Sequence, residues 1–299
     1  MIRRVLVGAL IGSVTVVVVL VVAVYSPSGR RLRATYNVSV VEISTTGDSS
    51  MLAWGRHVAE IRGCTDCHRE DLGGRTFIDG MPLARLTATN LTSGANGVAS
   101  GYSDADWVRS IRSGVRPNGL PLLFMPSHEY RPMGPEDLGA LVSWIKSMRP
   151  VDTDPVEQRI GLLGRVLFLA GQLPLIPAER IDHSDPSFSQ PEADVTVVYG
   201  AYLATACAGC HGEGFSGGVI PGVPPEWPEA ANLTPDVDTG VGLWSEDDFF
   251  SFFEDGVRPD GRQVDAAFMP WPIGQSFTDD EKRALWMFLR SLPATSKGD

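Results

Sequence analysis

The chain has 299 residues, 43% of them apolar and 20% charged, the proportions of a folded protein with room for two ordinary domains and a further segment. Its formal charge of −11 argues against a nucleic-acid partner, which calls for a basic patch. The charge is uneven: residues 51–150 carry 11 basic and 10 acidic side chains, whereas residues 195–293 carry 5 and 15. An acidic docking face on the second half, for a basic partner, is expected from that asymmetry, with mere solubility as the alternative.

Arg3 and Arg4 precede an apolar run from Val5 to Tyr25, 21 residues long. At about 1.5 Å per residue this spans roughly 30 Å, the thickness of a bilayer's hydrocarbon core. A cleaved signal peptide has a core of only about 7–15 residues and a small-x-small cleavage site. The run here ends Ala23-Val-Tyr-Ser-Pro27, a poor site. Residues 1–30 are therefore expected to form an uncleaved transmembrane anchor, with a signal peptide as the alternative. Basic residues flank both ends (Arg30, Arg31 and Arg33 follow), so charge does not orient the span. Gly8 and Gly12 form a G-x-x-x-G, a place where another transmembrane helix can approach. Residues 31–50 are expected to be an extended tether.

Two five-residue stretches carry the chemistry, Cys64-Thr-Asp-Cys-His68 and Cys207-Ala-Gly-Cys-His211, and they use all four cysteines. C-x-x-C-H is the attachment spacing of c-type haem. The thiols add across the porphyrin vinyl groups, and the adjacent imidazole becomes the proximal iron ligand. A zinc site would need a second Cys or His pair nearby, but the two pairs are 143 residues apart. A redox dithiol would not explain two copies, each followed by His. Attachment of this kind takes place outside the cytoplasm. Everything after Tyr25 is thus expected on the periplasmic side of a bacterial inner membrane.

The chain repeats itself around these motifs. Asn90-Leu-Thr92 matches Asn232-Leu-Thr234, and Ser103-x-x-Asp106-Trp107 matches Ser245-x-x-Asp248-Phe249. Gly114-Val-Arg-Pro-Asn-Gly119 matches Gly256-Val-Arg-Pro-Asp-Gly261, and Phe124-Met-Pro126 matches Phe268-Met-Pro270. Closing helices are expected over 136–148 and 280–292. Ser103 and Ser245 read as N-caps with capping boxes, and Thr278 with Glu281 as another. Pro135 suits the first position of its helix. The fold expected is mainly α: two tandem cytochrome c domains, 51–150 and 195–293, after the N-terminal transmembrane helix, with a tail at 294–299.

An iron held by His needs its other axial position accounted for, since that position separates electron transfer from small-molecule chemistry. Met125 and Met269 stand in identical Phe-Met-Pro loops, 57 and 58 residues after His68 and His211. Repetition in register with the haem motif makes them the expected sixth ligands. Met81, Met133 and His128 rank below them, because none has a counterpart of its own type in the second unit. Arg116 and Arg258, in the shared turn, are candidates to pair with haem propionates. Asn90 and Asn232 are candidates to hydrogen-bond near the haem edge.

Residues 151–194 form a connector with prolines at 155, 174, 177, 186 and 191 and eight acids against three bases. Within it, Ile160–Ala170 is apolar but too short to span a membrane. It is expected to pack across both cytochrome units and fix the distance between their haems; the alternative is a helix lying at the bilayer surface.

The order C-x-x-C-H, N-L-T, S-x-x-D-[WF], G-x-R-P-[ND]-G, F-M-P, closing helix resembles the membrane-associated multihaem cytochrome c family. That family includes the cytochrome subunits of bacterial membrane-bound alcohol and gluconate dehydrogenases. The resemblance covers nearly all of residues 51–293. It implies electron transfer, thioethers at Cys64, Cys67, Cys207 and Cys210, and His68, Met125, His211 and Met269 as axial ligands to two covalent haem c groups. Two haem motifs stand here where those subunits typically have three, and the anchor expected here is N-terminal, not C-terminal. The function expected is that of a carrier, not an enzyme, passing single electrons between a membrane redox complex and a periplasmic donor or acceptor. A dihaem peroxidase, which needs one displaceable axial position, is the main alternative, and a structural subunit merely stabilised by haem is another.

Overall fold

The computed structural model describes residues 2–184, 190–224 and 226–299; Pro186 of the connector lies outside them. Helix α1 (Ile2–Leu32) comes first, and its residues Leu6–Leu32 are long and apolar enough to cross a membrane. Their side chains pack against nothing along most of the length, with Leu10, Val16 and Leu20 each about 60% exposed.

The tether is not free. Residues 34–48 form a strap along the first half, with Val40, Val41 and Ile43 against its core. Tyr36 N donates to Gly119 O (2.9 Å), and Thr46 N donates to Ser143 Oγ (3.1 Å). Apolar residues in an otherwise polar stretch find buried surface and hold the strap down.

The first half contains α2 (Ser49–Ile61), α3 (Cys64–His68), α4 (Asp104–Ser113), α5 (Ser127–Tyr130) and α6 (Pro135–Ser147). The second contains α8 (Val197–Ala204), α9 (Ala208–His211), α10 (Glu246–Asp255) and α11 (Asp279–Ser291), with α7 (Leu162–Leu169) in the connector. The expected caps are present. Ser103, Ser245 and Thr278 each complete a capping box with Asp106, Asp248 and Glu281, and Pro135 opens α6. Along α6, Leu138, Leu141, Val142 and Ile145 are all buried.

Within each half the first helix lies across the last, α2 on α6 and α8 on α11. A glycine sits at each crossing. A Cβ on Gly55 would fall 2.0 Å from Ala140 O, and one on Gly200 would fall 2.0 Å from Ala284 O. No side chain fits there, so glycine sets the helix separation.

A short sheet was not expected. Strands β1 (Arg75–Gly80) and β2 (Ala84–Ala88) form an antiparallel hairpin after the first haem motif, and β3 (Arg159–Ile160) adds to β2. The second half has a single bridge in the corresponding place, Gly218 with Ala230. The connector expectation is corrected as well. Instead of spanning both units, α7 packs on the end of α1 and on an apolar cluster beneath the hairpin that includes Leu86, Phe168, Leu175 and Ile176. Arg165 Nη1 donates to Ser28 Oγ (2.9 Å) and its guanidinium lies 4.5 Å from the Tyr25 ring centroid. Leu162, Leu163 and Val166 are left 42–45% exposed.

The halves meet directly, through side chains in matching places. Trp54 Nε1 donates to Asp137 Oδ1 of its own half (2.8 Å), and Tyr202 Oη donates to Asp137 Oδ2 from the other (2.6 Å). Tyr199 Oη donates to Glu281 Oε1 of its own half (3.3 Å), and His57 Nε2 donates to it from the other (2.8 Å). Asp137 and Glu281 hold the same position near the start of α6 and α11. The interface thus has approximate two-fold symmetry, like that between two copies of one chain.

Candidate haem sites

The two motif histidines are held in the same way. His68 ends α3 and its Nδ1 donates to Thr89 O (2.7 Å); His211 ends α9 and its Nδ1 donates to Ala231 O (2.8 Å). The carbonyls lie just beyond β2 and just beyond the Gly218–Ala230 bridge, so the hairpin and its remnant aim the two rings. A carbonyl on Nδ1 fixes the tautomer and leaves Nε2 as the ligand lone pair. Burial holds both imidazoles below the ordinary histidine range, which keeps them in the neutral, metal-binding form.

Burial pushes the Cys64 thiol up to about 12 and the Cys207 thiol up to about 11, with the Arg62 guanidinium the strongest opposing influence at both. A redox dithiol requires the opposite, a thiol whose pKa is depressed.

Cys64, His68 and Met125 face one cleft in the first half, whose walls enclose about 690 Å³, part of it open to solvent. Leu72, Leu91, Ile111 and Leu141 make it apolar, and Tyr102, Trp107 and Tyr130 add aromatic walls. Met133, 1% exposed, lines the same cleft; Met81 is 60% exposed in the segment joining β1 to β2. His128 is not among the lining residues, and burial holds its imidazole down at about 4. In the second half, Cys207 and Met269 pack against a core of Tyr199, Leu203, Phe249 and Leu285.

Among the described residues, Trp107 Nε1 in the wall of the cleft and Arg116 Nε are buried without a hydrogen-bond partner, and Arg258 Nε has none closer than Asp260 Oδ2 at 3.7 Å. The two arginines occupy equivalent turns. Buried donors left unbonded are costly, so Trp107 Nε1 in the cleft wall points to an acceptor that belongs to the complete site. An apolar macrocycle with acidic substituents, held covalently by the cysteines, fits this set of residues.

Asn90 and Asn232 serve elsewhere. Asn90 Nδ2 donates to Val151 O (2.7 Å) and Asn232 Nδ2 donates to Thr295 O (2.7 Å). Each Oδ1 accepts from the backbone of the threonine two residues on. The pair ties the loop to the segment that follows each closing helix, and the side chains are spent there instead of at a haem edge.

The sites also cross-brace one another. Glu129, at the end of the first Phe-Met-Pro loop, lies against Gly209 of the second haem motif, where burial pushes its carboxyl up to about 7. Ile273, following the second such loop, touches Gly63 beside the first motif.

Tyr130 and Arg62 were not singled out from sequence, and Trp107 only as a member of the internal repeat. For the interface a signal was present: Trp54-Gly55-x-His57 repeats as Tyr199-Gly200-x-Tyr202.

Residues 197–293 match the cytochrome c family. The match contains the second C-x-x-C-H and Met269. Over 284 residues the chain is 27% identical to the cytochrome c subunit of the quinone alcohol dehydrogenase of Gluconobacter oxydans, covering 84% of this chain and 56% of that one. Over 279 residues it is 27% identical to the gluconate 2-dehydrogenase cytochrome c subunit of Pantoea cypripedii, covering 83% and 60%. The fructose dehydrogenase cytochrome subunit of Gluconobacter japonicus is 24% identical over 265 residues, covering 81% of this chain and 53% of the relative. The chain therefore spans less than two thirds of the length of the cytochrome subunits it resembles.

Proposed function

We propose that the chain is a membrane-anchored dihaem c-type cytochrome, an electron-transfer subunit and not itself an enzyme. It passes single electrons between a membrane dehydrogenase or other redox complex and a periplasmic partner. The observation that carries this is the doubled proximal geometry: two C-x-x-C-H motifs, each with its histidine Nδ1 bonded to a backbone carbonyl. The family match over 197–293 supports haem at the second motif, and the internal repeat extends the reading to the first.

Haem bound at these positions supplies a one-electron couple at iron. The residues of the chain do the rest. Cys64 and Cys67, and likewise Cys207 and Cys210, hold the macrocycle, while His68 and His211 present Nε2 in a fixed orientation. Met125, which lines the first cleft, and Met269, which packs on the second core, would hold the iron together with the histidines. Arg116 offers its unbonded Nε to a propionate, and Arg258, whose Nε has only Asp260 at 3.7 Å, stands in the equivalent turn. Cross-bracing by Glu129 and Ile273 keeps the two sites close and rigid, which favours fast exchange between them.

α1 serves as the anchor. Nothing lies within 4 Å of a Cβ placed on Gly8 or Gly12, which leaves that face open to a helix of a partner subunit. The exposed Leu162, Leu163 and Val166 of α7, docked on the end of α1, suit the bilayer surface. The names of the relatives make a dehydrogenase the favoured donor.

The test is spectroscopic. Purified in detergent, the full chain is expected to carry two haem c groups, both low-spin in the ferric and ferrous states. A high-spin ferric fraction together with turnover of hydrogen peroxide would replace the carrier with a dihaem peroxidase.

A further inference from the structure

Arg62 is the residue that neither the haem motifs nor the internal repeat explains. It is 5% exposed and forms no ion pair among the described residues. Its position is unusual. It stands two residues before Cys64, and Thr205 stands two residues before Cys207, so the two are equivalent places in the repeat. They bond to each other: Arg62 Nη1 donates to Thr205 Oγ1 (2.8 Å), and also to Tyr202 O (3.2 Å) and Leu203 O (3.3 Å). One guanidinium from the first half is thereby fixed where the two haem-attachment segments approach, near the pseudo-two-fold axis of the interface.

Only one of its nitrogens is used. Nε and Nη2 are buried without a partner among the described residues. The Tyr202 ring covers the guanidinium at 4.6 Å, and Tyr130 Oη donates to the Arg62 carbonyl (3.1 Å) from a side chain that lines the first cleft. A buried cation with idle donors is costly unless an anion completes it.

We propose that Arg62 is an electrostatic element shared by both haem sites: its buried, fixed charge, held between the two attachment segments, favours the reduced state at both irons. This rests on the dihaem reading above. The physics is direct. Reduction adds one negative charge to each site, and a cation held in a low-dielectric interior stabilises that charge far more than one in water. A charge on the pseudo-axis acts on both centres in the same direction. It therefore raises both potentials without widening the gap between them, which preserves electron exchange between the two haems.

The experiment is a spectroelectrochemical titration of the full-length holoprotein in detergent. Arg62→Met keeps the stem and removes the charge; Arg62→Lys keeps the charge. Arg56→Gln removes an exposed charge from the same helix. With Arg62→Met, both midpoint potentials are expected to fall, each by roughly a tenfold change in the oxidised-to-reduced ratio at fixed potential, about 59 mV for a one-electron couple. Arg62→Lys is expected to keep most of both potentials, and Arg56→Gln to leave them unchanged. Should Arg62→Met fail to load both haems, Arg62→Gln is the second neutral variant, since its amide retains a donor for Thr205. Potentials that stay put, or a fall confined to one haem, overturn the proposal. A wild-type protein with a single haem per chain overturns the dihaem reading instead, so the two failures are distinguishable.

Discussion

His57 of the first half donates from Nε2 to Glu281 Oε1 of the second across 2.8 Å, and Tyr202 of the second returns the contact to Asp137 of the first at 2.6 Å. The acceptors are the N-terminal carboxylates of the two closing helices, so each half uses the other's helix start as a docking point. Both carboxylates are buried, at 3% and 4% exposure, which makes the contacts far stronger than surface pairs. Of the four aromatic donors at this interface only His57 is an imidazole, whose ordinary pKa is about 6.5.

That makes the interface sensitive to pH. The hydrogen bond to Glu281 is the main cause that raises the His57 pKa above its ordinary value. Glu281 is lowered: burial alone would raise it, but hydrogen bonds from His57 and Thr278 outweigh that. For a raised histidine, the stabilisation is complete below the unfolded pKa of about 6.5 and is lost as pH rises through the folded value. For a lowered glutamate it is present above about 4.3 and lost as pH falls through the folded value. The thermal midpoint of the holoprotein is thus expected to be highest from about pH 4.5 to 6.5, falling as pH climbs past neutrality. His57→Gln should lack that alkaline fall; a wild-type midpoint that does not change between pH 6 and 8 would refute the assignment.

Gly55 and Gly200 are expected to be intolerant of any side chain. The obstruction in each is a backbone carbonyl, Ala140 O or Ala284 O, which cannot rotate away as a side chain would. Gly55→Ala or Gly200→Ala forces the helix pair apart, at about 1–3 kcal/mol by the usual cost of overpacking. Denaturant midpoints measure it. Gly101→Ala, with nothing within 4 Å, is the control expected to change little.

How much of this was legible in the sequence depends on distance along the chain. Capping boxes at Ser103, Ser245 and Thr278 involve residues three apart, so local chemistry announces them. The motif pair and the Phe-Met-Pro loops are legible because they recur in register. The β1–β2 hairpin is not, since Arg75–Gly80 is short, bulged near Phe77 and stabilised by β3 from 159–160, far away in sequence. The apolar stripe of α7 says that the helix must be covered but not by what; its neighbour is the end of α1, more than 130 residues earlier. Asn90 and Asn232 recur as faithfully as the ligands do, and the structure uses them to fasten loops. Recurrence reveals that a residue matters to the repeated unit without saying whether its job is chemical. Arg62 shows the converse, for Thr205 in its place hides it from any search based on repetition.

Removing either methionine is expected to open the corresponding iron. Met269→Ala should leave the second haem covalently attached while allowing carbon monoxide to bind the ferrous protein, and Met125→Ala should do the same at the first. Met133 also lines the first cleft, so Met133→Leu is the discriminating control and is expected to stay low-spin. If Met133→Leu binds carbon monoxide and Met125→Ala does not, the sixth ligand of the first iron is Met133. His211→Ala, by contrast, should prevent a stable low-spin centre from forming.

The α7 face gives a test of how the domains sit on a bilayer. Leu163 is 45% exposed and its helix packs on α1. In lipid nanodiscs containing brominated acyl chains, a tryptophan introduced by Leu163→Trp is expected to show more quenching than the wild type. Quenching equal to the wild type's would place α7 in water or beneath a partner subunit.

The acidic second half predicts a dependence on salt. Asp255 and Asp265 are exposed, whereas Asp260 is paired with Arg262 and Arg258; Asp265 stands four residues before Met269, whose neighbour Phe268 is 39% exposed. Exposed carboxylates therefore stand beside the Phe268-Met269-Pro270 loop, where on the proposed function an electron would leave or enter. Long-range attraction to a basic partner speeds encounter and is screened over about 8 Å at physiological ionic strength. Electron transfer to a basic redox protein such as horse cytochrome c should slow as salt rises from 10 to 500 mM. Asp255→Asn and Asp265→Asn together should flatten that dependence while leaving both haem spectra intact. The opposite arrangement, docking through the first half with its near-balanced charge, predicts rates indifferent to salt and to these two substitutions. A flat salt profile in the wild type would therefore move the docking site to the first haem and return the acids of the second half to keeping the protein soluble.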